Sequence, residues 1–96
     1  MRTATRDHVR TYHLQRLATA LDELGFDARV KSTYPPALHI FIPGVSMLTE
    51  TIICRPGTDE HGRLRWSYHW SWGDELGDTD DPRGAAEKVA EVLAAR

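Results

Sequence analysis

The stretch Leu64-Arg65-Trp66-Ser67-Tyr68-His69-Trp70-Ser71-Trp72-Gly73 decides how the rest of the chain can fold. Leu64, Trp66, Tyr68, Trp70 and Trp72 occupy every second position, with Arg65, Ser67, His69 and Ser71 between them. Side chains alternate across a strand, so the pattern predicts a strand with one large aromatic face and one small, polar, partly cationic face. All three tryptophans of the chain lie here. On one reading Trp66, Tyr68 and Trp70 are core beneath helices, and Trp72 caps the sheet edge. On the other the stripe is an exposed platform for a partner or a stacked base.

Upstream, the apolar period changes to that of a helix. Leu14, Leu17, Ala18, Leu21 and Leu24 share one stripe on a 3.6-residue repeat, which predicts a helix over Arg6–Leu24 capped by Thr5, with residues 1–5 frayed. Gly25 stands where a left-handed C-terminal cap belongs. Phe26–Tyr34 alternates as a half-buried strand and is stopped by Pro35-Pro36. Ala37–Ile42 is a second strand, ended by Pro43-Gly44, which open a connector. Glu50–Arg55 is a third, and Pro56–Gly62 a hairpin loop leading into the aromatic strand. Downstream, Asp74–Asp81 holds five carboxylates and no basic residue, and reads as a loop. Asp81-Pro82 is a helix start, and Ala85, Ala86, Val89, Val92 and Leu93 form the apolar side of a closing helix over Pro82–Ala95.

The expectation is an α+β domain spanning residues 1–96: a two-layer sandwich of helix, four antiparallel strands and helix, with both helices on one face of the sheet. Ninety-six residues suffice for one modest core. A net charge of −2 imposes no overall field that would commit the protein to nucleic acid or acidic membranes. The charge is uneven: nine Lys/Arg against seven Asp/Glu up to Arg65, a net of +2, and three against seven thereafter, a net of −4. Cys54, the single cysteine, cannot form an internal disulfide. With no apolar signal segment and no run near the roughly 20 residues of a membrane span, a cytoplasmic location is expected.

If the aromatic side is core, the other face gathers some of Arg29, Lys31, His39, Arg55, Arg63, Arg65, Ser67 and His69. Arg29, His39, Arg55, Arg65 and His69 are the candidates for an anion site; the plainer reading is a solvated face with charges that deter aggregation. Phe41, Ile53 and Trp72 are the candidates for an interface. The five histidines, His8, His13, His39, His61 and His69, show no metal-ligand spacing, and the acidic run lacks the order of a calcium loop, so no metal is expected. Cys54 could meet His39 or His69 across neighbouring strands, but a mid-strand cysteine is more often inert core. Gly-x-Ser-x-Gly, Walker and Rossmann patterns are absent, and neither catalytic residues nor a cofactor are expected.

The helix–strands–helix order, with the alanine-rich Arg83-Gly-Ala-Ala-Glu-Lys-Val-Ala, is similar to double-stranded-RNA-binding domains. That family grips phosphate with lysines at the start of its last helix. Asp78, Asp80 and Asp81 stand there in this chain and would repel phosphate, so the family is set aside. Trp70-Ser-Trp-Gly, with the later Asp-Asp-Pro and the alanine-rich helix, resembles small uncharacterised proteins of high-GC Gram-positive bacteria whose genes often lie near regulators. The resemblance covers residues 64–93, implies a regulatory or accessory role by association, and brings no activity. The expected function is therefore a non-enzymatic binding or adaptor protein, partnered by a second copy of itself or another protein. The alternative is a module that holds an anionic small molecule or nucleotide on the open sheet face.

Overall fold

The computed structural model describes residues 2–41 and 50–94, with side chains from residue 6 onward. Two helices bracket an antiparallel sheet: α1 (Arg2–Glu23), β1 (Asp27–Lys31), β2 (Ala37–Phe41), β3 (Glu50–Thr58), β4 (Leu64–Trp70), β5 (Glu75–Asp78) and α2 (Pro82–Ala94). The strands lie in chain order, β1-β2-β3-β4-β5, each antiparallel to its neighbour. The α+β class and the meander follow the sequence reading. The strand count does not: the described residues form five strands, not four.

Helix α1 is already formed at Arg2, so Thr5 lies inside it and does not cap it. Neither proline nor glycine precedes Arg6 to stop the helix. At the other end Phe26 N–H donates to the Leu21 carbonyl (3.1 Å) and Gly25 N–H to that of Asp22 (3.0 Å). These two bonds, with Gly25 at φ 92°, form a Schellman cap. The cap delivers the half-buried Phe26 to the core and launches β1.

Strand β1 is shorter than predicted, because its last cross-strand pair is Lys31 with Ala37 and the chain from Ser32 to Pro36 turns away. The Tyr34–Pro35 peptide is cis. Ile42 and the Pro43-Gly44 connector lie outside the described residues, as does the predicted last helical residue, Ala95. Strand β3 runs through Pro56 and Gly57, which were predicted as loop. Peptide groups alternate sides along a strand. The Cys54 carbonyl faces away from β4, where it accepts from Arg10 Nε (3.3 Å), and so does the Pro56 nitrogen two residues on. Partner β2 pairs no further than Ile53, so the missing N–H of Pro56 breaks no ladder bond. The tight turn sits beyond, where Asp59 Oδ1 accepts from the backbone N–H of His61 (2.8 Å) and Arg63 (2.9 Å).

Strand β5 comes from the segment predicted as an acidic loop. Ser67, Tyr68 and His69 pair with Asp78, Gly77 and Glu75, and the register shift at Tyr68/His69 leaves Leu76 as a bulge residue that is buried. Gly77 faces α2: a Cβ there would stand 3.6 Å from the Ala85 Cβ, an ordinary contact distance. Three of the carboxylates around it are engaged. Asp78 pairs with Arg65, Asp74 Oδ2 accepts from Trp72 Nε1 (3.0 Å), and Asp81 Oδ1 caps α2 at Gly84 N–H (3.0 Å).

One hydrophobic cluster joins Leu14, Leu17 and Leu21 of α1 and Ala86, Val89 and Leu93 of α2 to alternate sheet residues: Leu38 and Ile40, Ile52 and Cys54, Tyr68 and Trp70, and Leu76. The registers align these across the sheet, Leu38–Ile52–Trp70 making one rung. Tyr68 is fully buried, and its hydroxyl donates to the His13 carbonyl of α1 (2.7 Å), tying sheet to helix through a buried polar atom. Trp72 stacks on Trp70 with centroids 4.8 Å apart and planes at 8°.

Candidate functional site

The same alternation places a second set of residues on the face opposite this core. Three rungs can be read from the registers. Arg29, His39 and Thr51 form one; Lys31, Ala37, Ile53, His69 and Glu75 form the next; Arg55, Ser67 and Asp78 form the third. Gly57 and Arg65 pair beyond them.

The five predicted anion-site residues divide into three groups. Arg29 and His39 are direct cross-strand partners, but Arg29 is held in an ion pair with Asp27 (3.0 Å) and lies 5.4 Å over the Phe41 ring. The hydrogen bond and charge of Asp27 push its guanidinium pKa further up. Arg65 is drawn to the acidic edge by Asp78, with Asp80 at 3.7 Å. Arg55 and His69 stay near each other, because Arg55 faces Ser67 across the ladder and Ser67 is two residues from His69 on the same face.

Arg55, Ser67 and His69 line an open groove of about 600 Å3, with Ile53, Pro35 and Glu75 also at its walls. Its origin is the unequal length of β2 and β3. Where β2 has ended, the edge of β3 is bare, and Arg10 reaches from α1 to the Cys54 carbonyl exposed there. Arg10 is itself paired with Asp7 (3.1 Å) and lies 5.3 Å over the Trp66 ring. The volume is within the range of small-ligand sites.

The polar centre of the groove has a defined hydrogen-bond direction. His69 Nδ1 lies 3.1 Å from the Gly73 carbonyl, and His69 Nε2 lies 2.8 Å from Ser67 Oγ. A carbonyl can only accept, so Nδ1 carries a proton. In the neutral ring Nε2 is then an acceptor, and the Ser67 hydroxyl donates to it. Gly73 can present its carbonyl this way because it takes φ 114° in the β4–β5 turn, a backbone region closed to most residues.

Ser67 was visible in the sequence as a polar-face residue but stood outside the candidate set; its i, i+2 spacing to His69 on a strand was the available signal. Glu75 was hidden by the loop reading of its segment. For Arg10 no local signal exists, since only tertiary packing brings α1 to the edge of β3.

The interface candidates do not form one patch. Phe41 and Ile53 share the outer face but are two rungs apart, whereas Trp72 lies against Trp70 at the margin of the core. Trp72 is 49% exposed and Leu64, at the start of the aromatic stripe, 67%. The stripe therefore grades from a buried centre, Tyr68 and Trp70, through half-buried Trp66 to exposed ends.

Cys54 does not meet His39 or His69. It faces the core opposite Tyr68, while both histidines project to the other side. Burial pushes its thiol up to about 12, against a weaker opposing effect of Arg10, which leaves an unreactive thiol at neutral pH. Among the described residues no three His, Cys, Asp or Glu side chains gather as a metal site, and no helix is long and apolar enough to cross a membrane. A second concavity of about 500 Å3 lies between the helices, bordered by Arg16, Leu24 and Arg83. No protein-family profile, curated protein or solved structure matches the chain.

Proposed function

We propose that the protein is a small, non-enzymatic binding module that holds an anionic group of a small molecule or nucleotide on the sheet face opposite the core. In this reading both helices cover the Leu38–Ile52–Trp70 face as a single layer, and the Arg55–Ser67–His69 face is left for a ligand. The observation that carries it is the groove itself, where a guanidinium, a hydroxyl and an imidazole line one wall of about 600 Å3. The Arg55 guanidinium is suited to pair with phosphate or carboxylate, and the polar Ser67–His69 pair stands beside it. A binding role fits better than acyl transfer by Ser67, because the strand pairings on both sides commit the amides around it to ladders and leave no pair aimed at an oxyanion. A cytoplasmic setting suits the free, buried Cys54.

A thermal-shift screen with nucleotides and small carboxylates tests the proposal. A ligand at 100 times its dissociation constant adds about 2.7 kcal/mol, or roughly 10–20 °C in a domain of this size. Arg55→Gln should abolish the shift while preserving the fold. A panel that shifts nothing at millimolar concentration removes the anion-site proposal.

One observation favours a second reading, self-association. Beyond Ile53 and Ser67, β3 and β4 have lost their outer partners and continue as a two-stranded arm bearing the exposed Leu64. An isolated two-stranded ribbon is marginal in water, so packing against a second copy would cover it. Sedimentation at micromolar concentration decides, with Leu64→Glu expected to restore a monomer; a wild-type monomer removes the claim.

A further inference from the structure

We infer that the groove binds a tetrahedral oxyanion together with one proton, which His69 Nε2 takes up and Ser67 converts into a ligand-facing hydrogen bond. This rests on the anion-site reading above and adds to it a ligand class and a coupling. The argument begins with the hydrogen-bond directions. Gly73 accepts from Nδ1, so the neutral ring has only its acceptor nitrogen free, and Ser67 Oγ spends its single proton on that nitrogen at 2.8 Å. The hydroxyl then presents only lone pairs to the groove. Those lone pairs repel an oxyanion, leaving Arg55, across the ladder from Ser67, to attract it.

A proton on Nε2 reverses the pair. Nε2–H now donates to Oγ, Nδ1–H keeps its bond to the Gly73 carbonyl, and the serine proton is released to turn into the groove. One proton is gained from solvent, no covalent bond changes, and both ring nitrogens remain satisfied. The site then offers a guanidinium, a hydroxyl donor and a positive ring behind the hydroxyl. Charged groups of both signs surround the pair: Glu75 of β5 is the register partner of His69, Asp78 of β5 stands across the ladder from Ser67 and is paired with Arg65, and Arg55 of β3 and Arg10 of α1 line the same groove. Asp74, in the adjoining turn, is engaged by Trp72 Nε1. A bound dianion near Arg55 cancels the opposing charge, so the ligand and the proton each favour the other, and by linkage the coupling is reciprocal.

The test uses sulfate, a tetrahedral dianion that does not itself titrate between pH 5 and 8, so any pH dependence belongs to the protein. Titrations of the full chain at fixed ionic strength are followed by backbone amide shifts of residues 53–55, 57 and 67–75, together with the His69 ring nitrogens. The expected results are tightening as pH falls, by up to about tenfold per pH unit, and a rise in the protonated fraction of His69 when sulfate is added at constant pH. In His69→Gln the pH dependence should vanish while binding through Arg55 persists. Ser67→Ala should weaken sulfate at the low-pH end by roughly tenfold or more, the loss expected for a hydrogen bond to a charged group. Inorganic phosphate and a nucleoside monophosphate, compared at pH 7, show whether the rest of a nucleotide adds affinity.

Sulfate binding at the groove with equal affinity across the pH range, or with an unchanged His69 ring, overturns the proton coupling and leaves the anion-site reading standing. If sulfate, phosphate and nucleotide perturb none of these amides at any pH, both fail. The ring measurement is made on the wild-type protein, so it decides the coupling even if a variant folds poorly.

Discussion

Trp70→Ala tests the architecture most directly. Trp70 is 3% exposed, shares a rung with Leu38 and Ile52, and carries Trp72 stacked on its ring at 4.8 Å. Truncating a buried tryptophan costs about 3–5 kcal/mol, because the vacated volume is only partly refilled; within that, the lost ring–ring contact accounts for about 0.5–1.5 kcal/mol. A domain of this kind has roughly 5–15 kcal/mol in total, so the variant is expected to be marginal. At about 4–8 °C per kcal/mol its Tm should fall by roughly 12–40 °C. Urea unfolding followed by far-ultraviolet circular dichroism avoids the confusion of removing a fluorophore. Two controls define the comparison. Trp72→Ala removes the stack and the bond to Asp74 from a side chain that is only half-buried, and should cost about 1–3 kcal/mol. His69→Ala removes the bonds to Ser67 and Gly73 on the opposite face and should cost about 1 kcal/mol. A loss below about 1 kcal/mol for Trp70→Ala, with a larger one for His69→Ala, would mean that the aromatic stripe is the exposed surface and that the assignment of faces is reversed.

Other perturbations address separate links in the argument. Tyr68→Phe deletes only the hydroxyl that donates to the His13 carbonyl, and should cost about 1 kcal/mol by urea unfolding; no change would show that the bond is not formed in solution. Cys54, its thiol pushed up to about 12 by burial, should resist iodoacetamide at pH 8 in the native protein and react readily in urea, as read by mass spectrometry; rapid native labelling would contradict its place in the core. Asp81→Ala should cost about 1 kcal/mol through loss of the α2 cap at Gly84, with helicity lost locally before the sheet unfolds, as followed by amide exchange. His13 is held below the usual histidine range, first by burial and then by Arg16, with Asp80 opposing. The folded state therefore binds this proton less readily than the unfolded chain. Stability is intact above pH of about 6.5 and falls as the pH drops from there through the folded value. His13→Gln should flatten the decline in urea midpoint between pH 7.5 and pH 5, and an unchanged decline would assign it to other groups.

Much of the fold was legible in local patterns because those patterns express short-range physics. The alternation of Trp66, Tyr68 and Trp70 declares a two-faced strand, the period of Leu14, Leu17 and Leu21 a one-sided helix, Gly25 a helix end, and Asp81-Pro82 a helix start. None of these needs a distant partner to be recognised. What tertiary structure alone decided are the features that depend on where strands stop relative to one another. Strand β5 is hidden in the sequence because Leu76 is its one large apolar residue and its carboxylates look like a solvated loop until Arg65, Trp72 and the start of α2 are brought beside them. Pro56 looks like a strand terminator because nothing local reveals that its nitrogen faces an edge β2 has already left. The groove has the same cause. Residues 29, 39, 55, 65 and 69 share a face by alternation, but Asp27, two residues away on the same strand, holds Arg29, while register brings Arg65 to Asp78 and leaves Arg55 beside Ser67 and His69. Register is a property of pairs of strands, and a one-residue slip reverses every face. Composition and periodicity within one strand therefore name the residues available to a site, and only the pairing between strands selects which of them meet.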